Sequence, residues 1–267
     1  MIYFDLAPTA RLGVYDAKTN KESCLMSSNL SPTDRAKFAS AQKASSFVED
    51  GMKVGLGTGS TAAWMVRCLA ERVKNEKLRI QAVPTSLRTA KLATELGIKI
   101  ATLDALGRLD LTIDGADEFD ADLNLIKGGG GALLQEKIVA AASDKMIVIA
   151  DVEKRVETMG QFPLPVEVIG FGWQTSQKLI EKILVSHDLG GRRISRRMLG
   201  DKPFVTDEGN FILDMHLGQI GDAPQLGKSL NQVPGVVENG LFINMCAVAV
   251  IGAPDGSVEL QGKRSAI

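Results

Sequence analysis

The sequence predicts an α/β protein: a Rossmann-like, mostly parallel sheet with helices on both faces, joined to a smaller α+β domain. Three observations carry that expectation. Short apolar runs such as Met52–Leu56, Leu109–Ile113 and Met146–Ala150 alternate with helical stretches at the spacing of βαβ units. Met146–Ala150 has no polar interruption, the pattern of a parallel strand covered on both faces. After Gln161-Phe162-Pro163-Leu164-Pro165 the order of strands and helices changes, which marks a second unit.

Residues 1–30 show little periodicity and read as an extension. A helix starts at Ser31-Pro32-Thr33-Asp34, where serine can cap and proline suits the first turn, and stops at Asp50-Gly51. Met52–Leu56 is a strand, Gly57-Thr58-Gly59-Ser60-Thr61 a turn, and Ala62 to about Val73 an amphipathic helix. Leu78–Val83 is strand-like, and a helix over Thr89–Leu96 closes at Gly97. Ile98–Leu103 and Leu109–Ile113 read as strands, and a helix over Ala132–Ala142 leads into Met146–Ala150. The second unit holds a strand at Val166–Ile169, a helix near Thr175–Ser186, strands near Arg192–Arg197 and Asn210–Met215, and a helix near Leu226–Gln232. Val236–Ile243 and Ala247–Ile251 are strands expected to return to the first unit. The organisation is therefore an extension (1–30), a main α/β domain (31–160), a small α+β domain (161–233) and returning strands (234–267).

Composition narrows the function classes. With 31 basic and 32 acidic residues the formal net charge is −1, so there is no electrostatic footprint for nucleic acid. The one dense basic patch, Arg192, Arg193, Arg196 and Arg197, reads as a solvated face. No run approaches the ~20 apolar residues that span a bilayer, and the first residues lack the apolar centre of a signal peptide. Three scattered cysteines suggest neither a disulfide framework nor a zinc motif, and Cys68 reads as core. A soluble protein of a reducing compartment, the cytoplasm, is expected. With only His187 and His216, histidine chemistry is not expected to drive it.

Three segments carry chemistry, and all fall on the carboxyl edge of the predicted sheet, where ligands of such sheets bind. The turn Gly57–Thr61 sits between strand and helix, where free amides and the hydroxyls of Ser60 and Thr61 can cradle a phosphate. It matches neither the dinucleotide fingerprint nor a P-loop. Its plain alternative is a tight packing turn. Asp114-Gly115-Ala116-Asp117-Glu118 ends a strand with three carboxylates. It reads as a sugar-hydroxyl site, as a metal site if Asp120 and Asp122 joined it, or as an acidic loop facing water; Glu118 and Asp120 are the members expected to be solvated. Lys127-Gly128-Gly129-Gly130-Gly131 precedes the helix that carries Glu136. Four glycines are a poor choice inside an element, and make sense where bare backbone approaches a ligand. Glu136 is the candidate general base, ionised at neutral pH if its pKa is the ordinary ~4.3. Lys127 and the glycine amides are candidate stabilisers of a developing oxyanion, with no metal or other cofactor required. Lys154 and Lys37 are candidate anion partners, although lone lysines are often plain surface.

Together these segments, with Phe162-Pro163-Leu164-Pro165-Val166-Glu167-Val168, closely resemble type A ribose-5-phosphate isomerase over roughly residues 31 to 255. The resemblance implies an aldose–ketose isomerase interconverting ribose 5-phosphate and ribulose 5-phosphate in the pentose phosphate pathway, through an enediolate and without a metal. It implies Glu136 as the proton-transferring base, Asp114 as the group assisting ring opening, and Asp117 and Lys127 as partners of the sugar oxygens and the enediolate. Gly115, Ala116 and the amides of Gly128, Gly129 and Gly130 would line the sugar. Thr58, Gly59, Ser60 and Thr61 would cradle the phosphate with Lys37 and Lys154. A homodimer or homotetramer is the implied assembly. Gly131 stands where an alanine is common, a change expected only to add flexibility, and the extension at 1–30 has no placed counterpart.

Two other classes compete. A non-catalytic sugar-phosphate sensor would keep the phosphate turn but has no need of Glu136, and residues 1–30 are too short and poorly patterned for a helix-turn-helix output module. A nucleotide-dependent dehydrogenase is disfavoured by the glycine spacing.

Overall fold

In the computed structural model the protein is described for residues 10–15 and 30–262. The first element is strand β1 (Ala10–Tyr15), followed by helix α1 (Pro32–Ser45). Ser31 caps α1 by accepting from the Asp34 amide at 3.1 Å, as its sequence predicts. Next come β2 (Lys53–Leu56), α2 (Ser60–Asn75), β3 (Gln81–Pro84), α3 (Leu87–Glu95) and the short α4 (Leu103–Leu106). The chain continues through β4 (Leu111–Gly115), β5 (Glu118–Phe119), β6 (Leu125–Ile126), α5 (Leu133–Ala141) and β7 (Met146–Asp151). Of these, β2, β3, β4 and β7 lie side by side in parallel, because crossover connections return the chain in the same direction.

The main sheet has seven strands in the order β1-β16-β15-β7-β4-β2-β3, in which β15 is Val248–Gly252 and β16 is Val258–Gly262. The run from β15 to β3 is parallel, and β16 and β1 extend it antiparallel. Alternation along β7 shows how both faces are covered. Ile147 and Ile149 join α1 and α2 side chains such as Ala41, Met65 and Leu69 in one core. Met146, Val148 and Ala150 face the other way, against Ala140 of α5, Phe119, Leu125 and Phe242. Helices on both faces of a mostly parallel sheet are thus observed.

The second unit supplies β8 (Leu164–Val168), α6 (Trp173–Ser186), β9 (Arg193–Arg196), a small hairpin of β10 (Met198–Leu199) and β11 (Lys202–Pro203), β12 (Phe211–His216), α7 (Ala223–Leu230) and β13 (Val236–Asn239). Its antiparallel sheet runs β13-β8-β12-β9, with Val166, Leu213, Ile180 and Leu226 in a separate core.

Several expectations change. Ile98–Leu103 forms only an isolated bridge, Ala82 to Ile100, before α4. Thr102 caps that helix, and its hydroxyl competes with continued pairing. The run Val236–Ile243 does not return whole. Val236–Asn239 pairs with β8 in the small sheet, and after Gly240 the chain starts β14 (Leu241–Phe242), which pairs with β6 in a three-stranded sheet. Only β15 and β16 rejoin the main sheet. The expectation for residues 1–30 covered a segment that proves to include β1 at the sheet margin; the rest of it lies outside the described residues.

Candidate active site

The predicted segments converge on one cleft of about 230 Å³ at the carboxyl edge of the parallel strands. Lys37, Thr58, Gly59, Ser60, Thr61, Gly115, Ala116, Asp117, Lys127, Gly128, Gly130, Glu136 and Lys154 all line it. A larger apolar groove of about 450 Å³, lined by Val83, Ile100, Leu103 and Ile138 among others, has no ionisable group in its wall.

The inner end of the cleft is built from three buried charged groups. Lys127 follows β6 and is 2% exposed, and Glu136, in the first turn of α5, is 3% exposed. The Lys127 Nζ lies 2.9 Å from Asp114 Oδ2 and 3.3 Å from Glu136 Oε2, and donates to the Gly115 carbonyl at 2.6 Å. Asp114, at the end of β4, has 0% exposure; its Oδ1 accepts from the amides of Gly115 (2.7 Å) and Thr58 (3.1 Å). Gly57 has to be glycine here, because a Cβ at that position would overlap the Asp114 carboxylate.

Two acids share one lysine out of water, and proton affinities shift accordingly. Burial, then the neighbouring Asp114 charge, pushes Glu136 up to about 8 against the pull of Lys127. Burial also raises Asp114, opposed by Lys127 and the two amides. Burial disfavours the Lys127 charge, but Asp114 and Glu136 override it and hold the ammonium above its ordinary range. The ordinary pKa expected for Glu136 is therefore corrected: its site makes it a far stronger base once deprotonated.

Asp117 stands one step outward. Its Oδ2 accepts from the Gly129 amide at 2.7 Å, which ties the acidic segment to the glycine loop. Within that loop Gly128 (φ 104°) and Gly131 (φ 81°) occupy left-handed backbone that a side chain resists. At Gly131 a Cβ would also overlap the ring of Phe204, so this glycine is demanded by conformation and packing rather than adding flexibility.

The outer end gathers open helix amides, two hydroxyls and two lysines. Gly59 (φ 125°) precedes α2 with no side-chain cap, leaving the first amides of that helix, those of Ser60 and Thr61, open. Lys37 and Lys154 face it, and neither forms an ion pair among the described residues. Asp151 Oδ1 caps the turn that carries Lys154 by accepting from the Glu153 amide at 3.2 Å.

Some predicted members sit differently. Asp114 does not line the cleft; it stands behind Lys127. The Thr58 amide is spent on Asp114, and its hydroxyl is 2.8 Å from both Thr85 Oγ1 and Ser86 Oγ. Thr58 therefore braces the site with a hydroxyl cluster, completed by Thr89, that the sequence reading missed. Its trace was the Thr85-Ser86-x-x-Thr89 pattern at the end of β3. Glu118 is not solvated: it is 4% exposed and accepts from the amides of Gly160 and Phe162. Asp120 is half-buried and accepts from the Asn124 amide at 2.8 Å, so it closes a turn. Among the described residues no three His, Cys, Asp or Glu side chains are grouped to hold a metal. The arginine patch is not simply a solvated face either. Arg196 lies over Trp173 and Phe211, and Arg197 pairs with Asp214 and reaches the glycine loop.

A parallel-sheet fold with open helix amides and two lysines at one end of a cleft, and a buried carboxyl–lysine cluster at the other, fits the class of α/β enzymes that bind their ligands at the carboxyl edge of the sheet. Residues 81–256 match the family model of ribose 5-phosphate isomerase A (phosphoriboisomerase A). Over 236 residues the chain is 67% identical to the ribose-5-phosphate isomerase A of Roseobacter denitrificans, covering 88% of this chain and 90% of that one. It is 64% identical to that of Ruegeria pomeroyi over the same shares. The solved ribose 5-phosphate isomerase A of Methanocaldococcus jannaschii is 38% identical with a TM-score of 0.79, covering 86% of this chain and 99% of that one. A D-ribose-5-phosphate isomerase solved in complex with phospho-erythronic acid has the same TM-score of 0.79 at 37% identity, covering 86% of this chain and 99% of that one. The chain belongs to the ribose 5-phosphate isomerase A family. No helix among the described residues is long and apolar enough to cross a membrane.

Proposed function

We propose that this protein interconverts D-ribose 5-phosphate and D-ribulose 5-phosphate through an enediolate, with Glu136 as the base and no metal in the chemical step. The observation that carries this is the contact of Glu136 with Lys127 at 3.3 Å inside a cleft whose other end offers open helix amides and two lysines. Phosphate binds at Gly59, Ser60 and Thr61 with Lys37 and Lys154. This points the open-chain sugar inward, along Asp117 and Gly130, to Glu136.

Glu136 takes the proton from carbon 2 of the aldose, and the electron pair moves to the aldehyde oxygen at carbon 1. The Lys127 ammonium and the glycine amides stabilise the negative oxygen as it forms. Return of the proton to carbon 1, with transfer of the carbon 2 hydroxyl proton to the carbon 1 oxygen, gives the ketose. Asp117, which lines the cleft where Asp114 does not, takes over the ring-opening role expected of Asp114 and relays hydroxyl protons. Asp114 acts through Lys127, whose ammonium it holds in place. Phospho-erythronic acid, found in the related isomerase, is a phosphorylated acid whose planar carboxylate is comparable with an enediolate end, which supports this arrangement.

Incubation with ribose 5-phosphate in deuterated buffer tests the reading. Ketose formation with deuterium entering the transferred position is expected, unchanged by a chelator. Absence of both ketose and exchange would leave a sugar-phosphate binding protein. Activity lost to the chelator and restored by magnesium would instead move the acidic segment to a metal role. We further propose the cytoplasm as its location, a homodimer or homotetramer as its assembly, measurable by light scattering, and a small α+β domain that starts at 161 as expected but runs past 233 to include β13, beside the main domain.

A further inference from the structure

We infer that Arg197, from the small antiparallel unit, is a positioning residue that aims the glycine-loop amides into the cleft. The inference rests on the enediolate reading above and deepens it. Arg197 follows β9, and a bidentate pair with Asp214 of β12 fixes its guanidinium: Nε to Oδ2 at 2.9 Å and Nη2 to Oδ1 at 2.5 Å. The remaining nitrogen, Nη1, donates to the carbonyls of Gly128 (2.7 Å) and Gly129 (3.2 Å).

A peptide unit is planar and trans, so its carbonyl and the next residue's N–H point in opposite directions. Holding the Gly128 carbonyl outward turns the Gly129 N–H inward, where it donates to Asp117 Oδ2 at 2.7 Å. Holding the Gly129 carbonyl outward likewise turns the Gly130 N–H away from Arg197. Gly130 lines the cleft, and its N–H has no protein acceptor among the described residues. A run of glycines has the most backbone freedom to lose, so Arg197 adds an external clamp to these two peptide planes, beside the Gly131 N–H that also donates to the Gly128 carbonyl at 3.0 Å. The Phe204 ring, under the Arg197 guanidinium and against Gly131, closes the clamp from the same unit.

The test compares Arg197→Ala, Arg197→Lys and wild type with ribose 5-phosphate. Misaimed donors are expected to lower kcat by about 10- to 100-fold. KM should move much less, because the phosphate seat is untouched. Lysine can reach one carbonyl but cannot keep the bidentate pair, so Arg197→Lys should fall between the two. Millimolar guanidinium should restore part of the Arg197→Ala activity. Amide hydrogen exchange in the peptide spanning 127–133 should accelerate in Arg197→Ala while that of the parallel strands is unchanged. An Arg197→Ala enzyme with wild-type kcat, or one that loses activity with the strands loosened equally and no guanidinium rescue, would overturn the inference. An inactive wild type would instead remove the functional reading on which it rests.

Discussion

The two ends of the cleft solve opposite problems. At the inner end Asp114, Lys127 and Glu136 are almost wholly buried, and their proton affinities are set by desolvation and by one another. At the outer end Lys37, Lys154, Ser60 and Thr61 keep contact with water, and attraction to an anion is shared among several modest donors. A buried charge is costly unless paired; Lys127 pairs both acids, and groups with proton affinities shifted in this way cluster at functional sites. The outer end needs only to hold. Chemistry and binding are therefore separable here by mutation, pH and salt.

The largest expected effect is that of Glu136→Gln. The amide keeps the shape but cannot take a proton, so kcat should fall by about 10²–10⁴-fold while sugar-phosphate binding persists; steady-state kinetics and ligand titration check it. Lys127→Met comes next. It removes the oxyanion partner, for a loss of about 10²–10³ in kcat, and leaves two acids without a cation. The melting temperature of this variant should drop more at pH 9 than at pH 5, where the Glu136 carboxyl holds its proton.

The raised proton affinity of Glu136 gives two signed predictions. Because the base must be ionised, kcat/KM should climb about tenfold per pH unit below pH 8 and level off above it, apart from titration of the substrate phosphate. For stability, the folded value of about 8 lies above the ordinary 4.5, so between these the folded state holds a proton that the unfolded state releases. That contribution is complete below pH 4.5 and lost as pH rises through 8. Glu136→Gln has no proton to lose, so its melting temperature should gain on wild type between pH 5 and pH 9. Parallel melting curves would discard the shifted value.

At the outer end, Lys37→Ala and Lys154→Ala should each raise KM severalfold, about 1 kcal/mol, with kcat nearly unchanged. The penalty should shrink as salt screens the phosphate, and a fall in kcat as large as the rise in KM would blur the division between the ends. The smallest expected change to catalysis is that of Gly131→Ala, whose cost should fall mainly on stability. Left-handed backbone and the Phe204 ring together oppose a Cβ there, for about 1–3 kcal/mol in chemical denaturation.

Much of this was legible before any coordinates. The apolar runs place β2, β4 and β7 because strands buried on both faces leave a continuous pattern, and chain direction then fixes which edge carries Thr58, Asp114 and Asp151. The Ser31 cap was readable because it is local. Long-range effects were not. Nothing near Arg197 in sequence shows that it meets Gly128, 69 residues away. Strand β16, Val258–Gly262, carries polar Glu259 and Gln261 in a short run after a turn, so its period is too weak to stand out. Glu118 reads as a solvated acid because the amides that need it lie more than 40 residues on. The proton affinity of Glu136 depends on burial among charged neighbours, which no local pattern records.

Strand β1 lies against β16 at the outermost position of the main sheet, so residues 10–15 use backbone groups of β16 that would otherwise face solvent. Open margins of this kind template pairing with other chains. A protein cut before α1 should keep its cleft, which β1 does not line, while β16 with its polar Glu259 and Gln261 becomes the sheet's open margin. Residues 10–15 are thus the selvedge of this fabric, and which strand forms that border can be changed without touching the weave that holds the cleft.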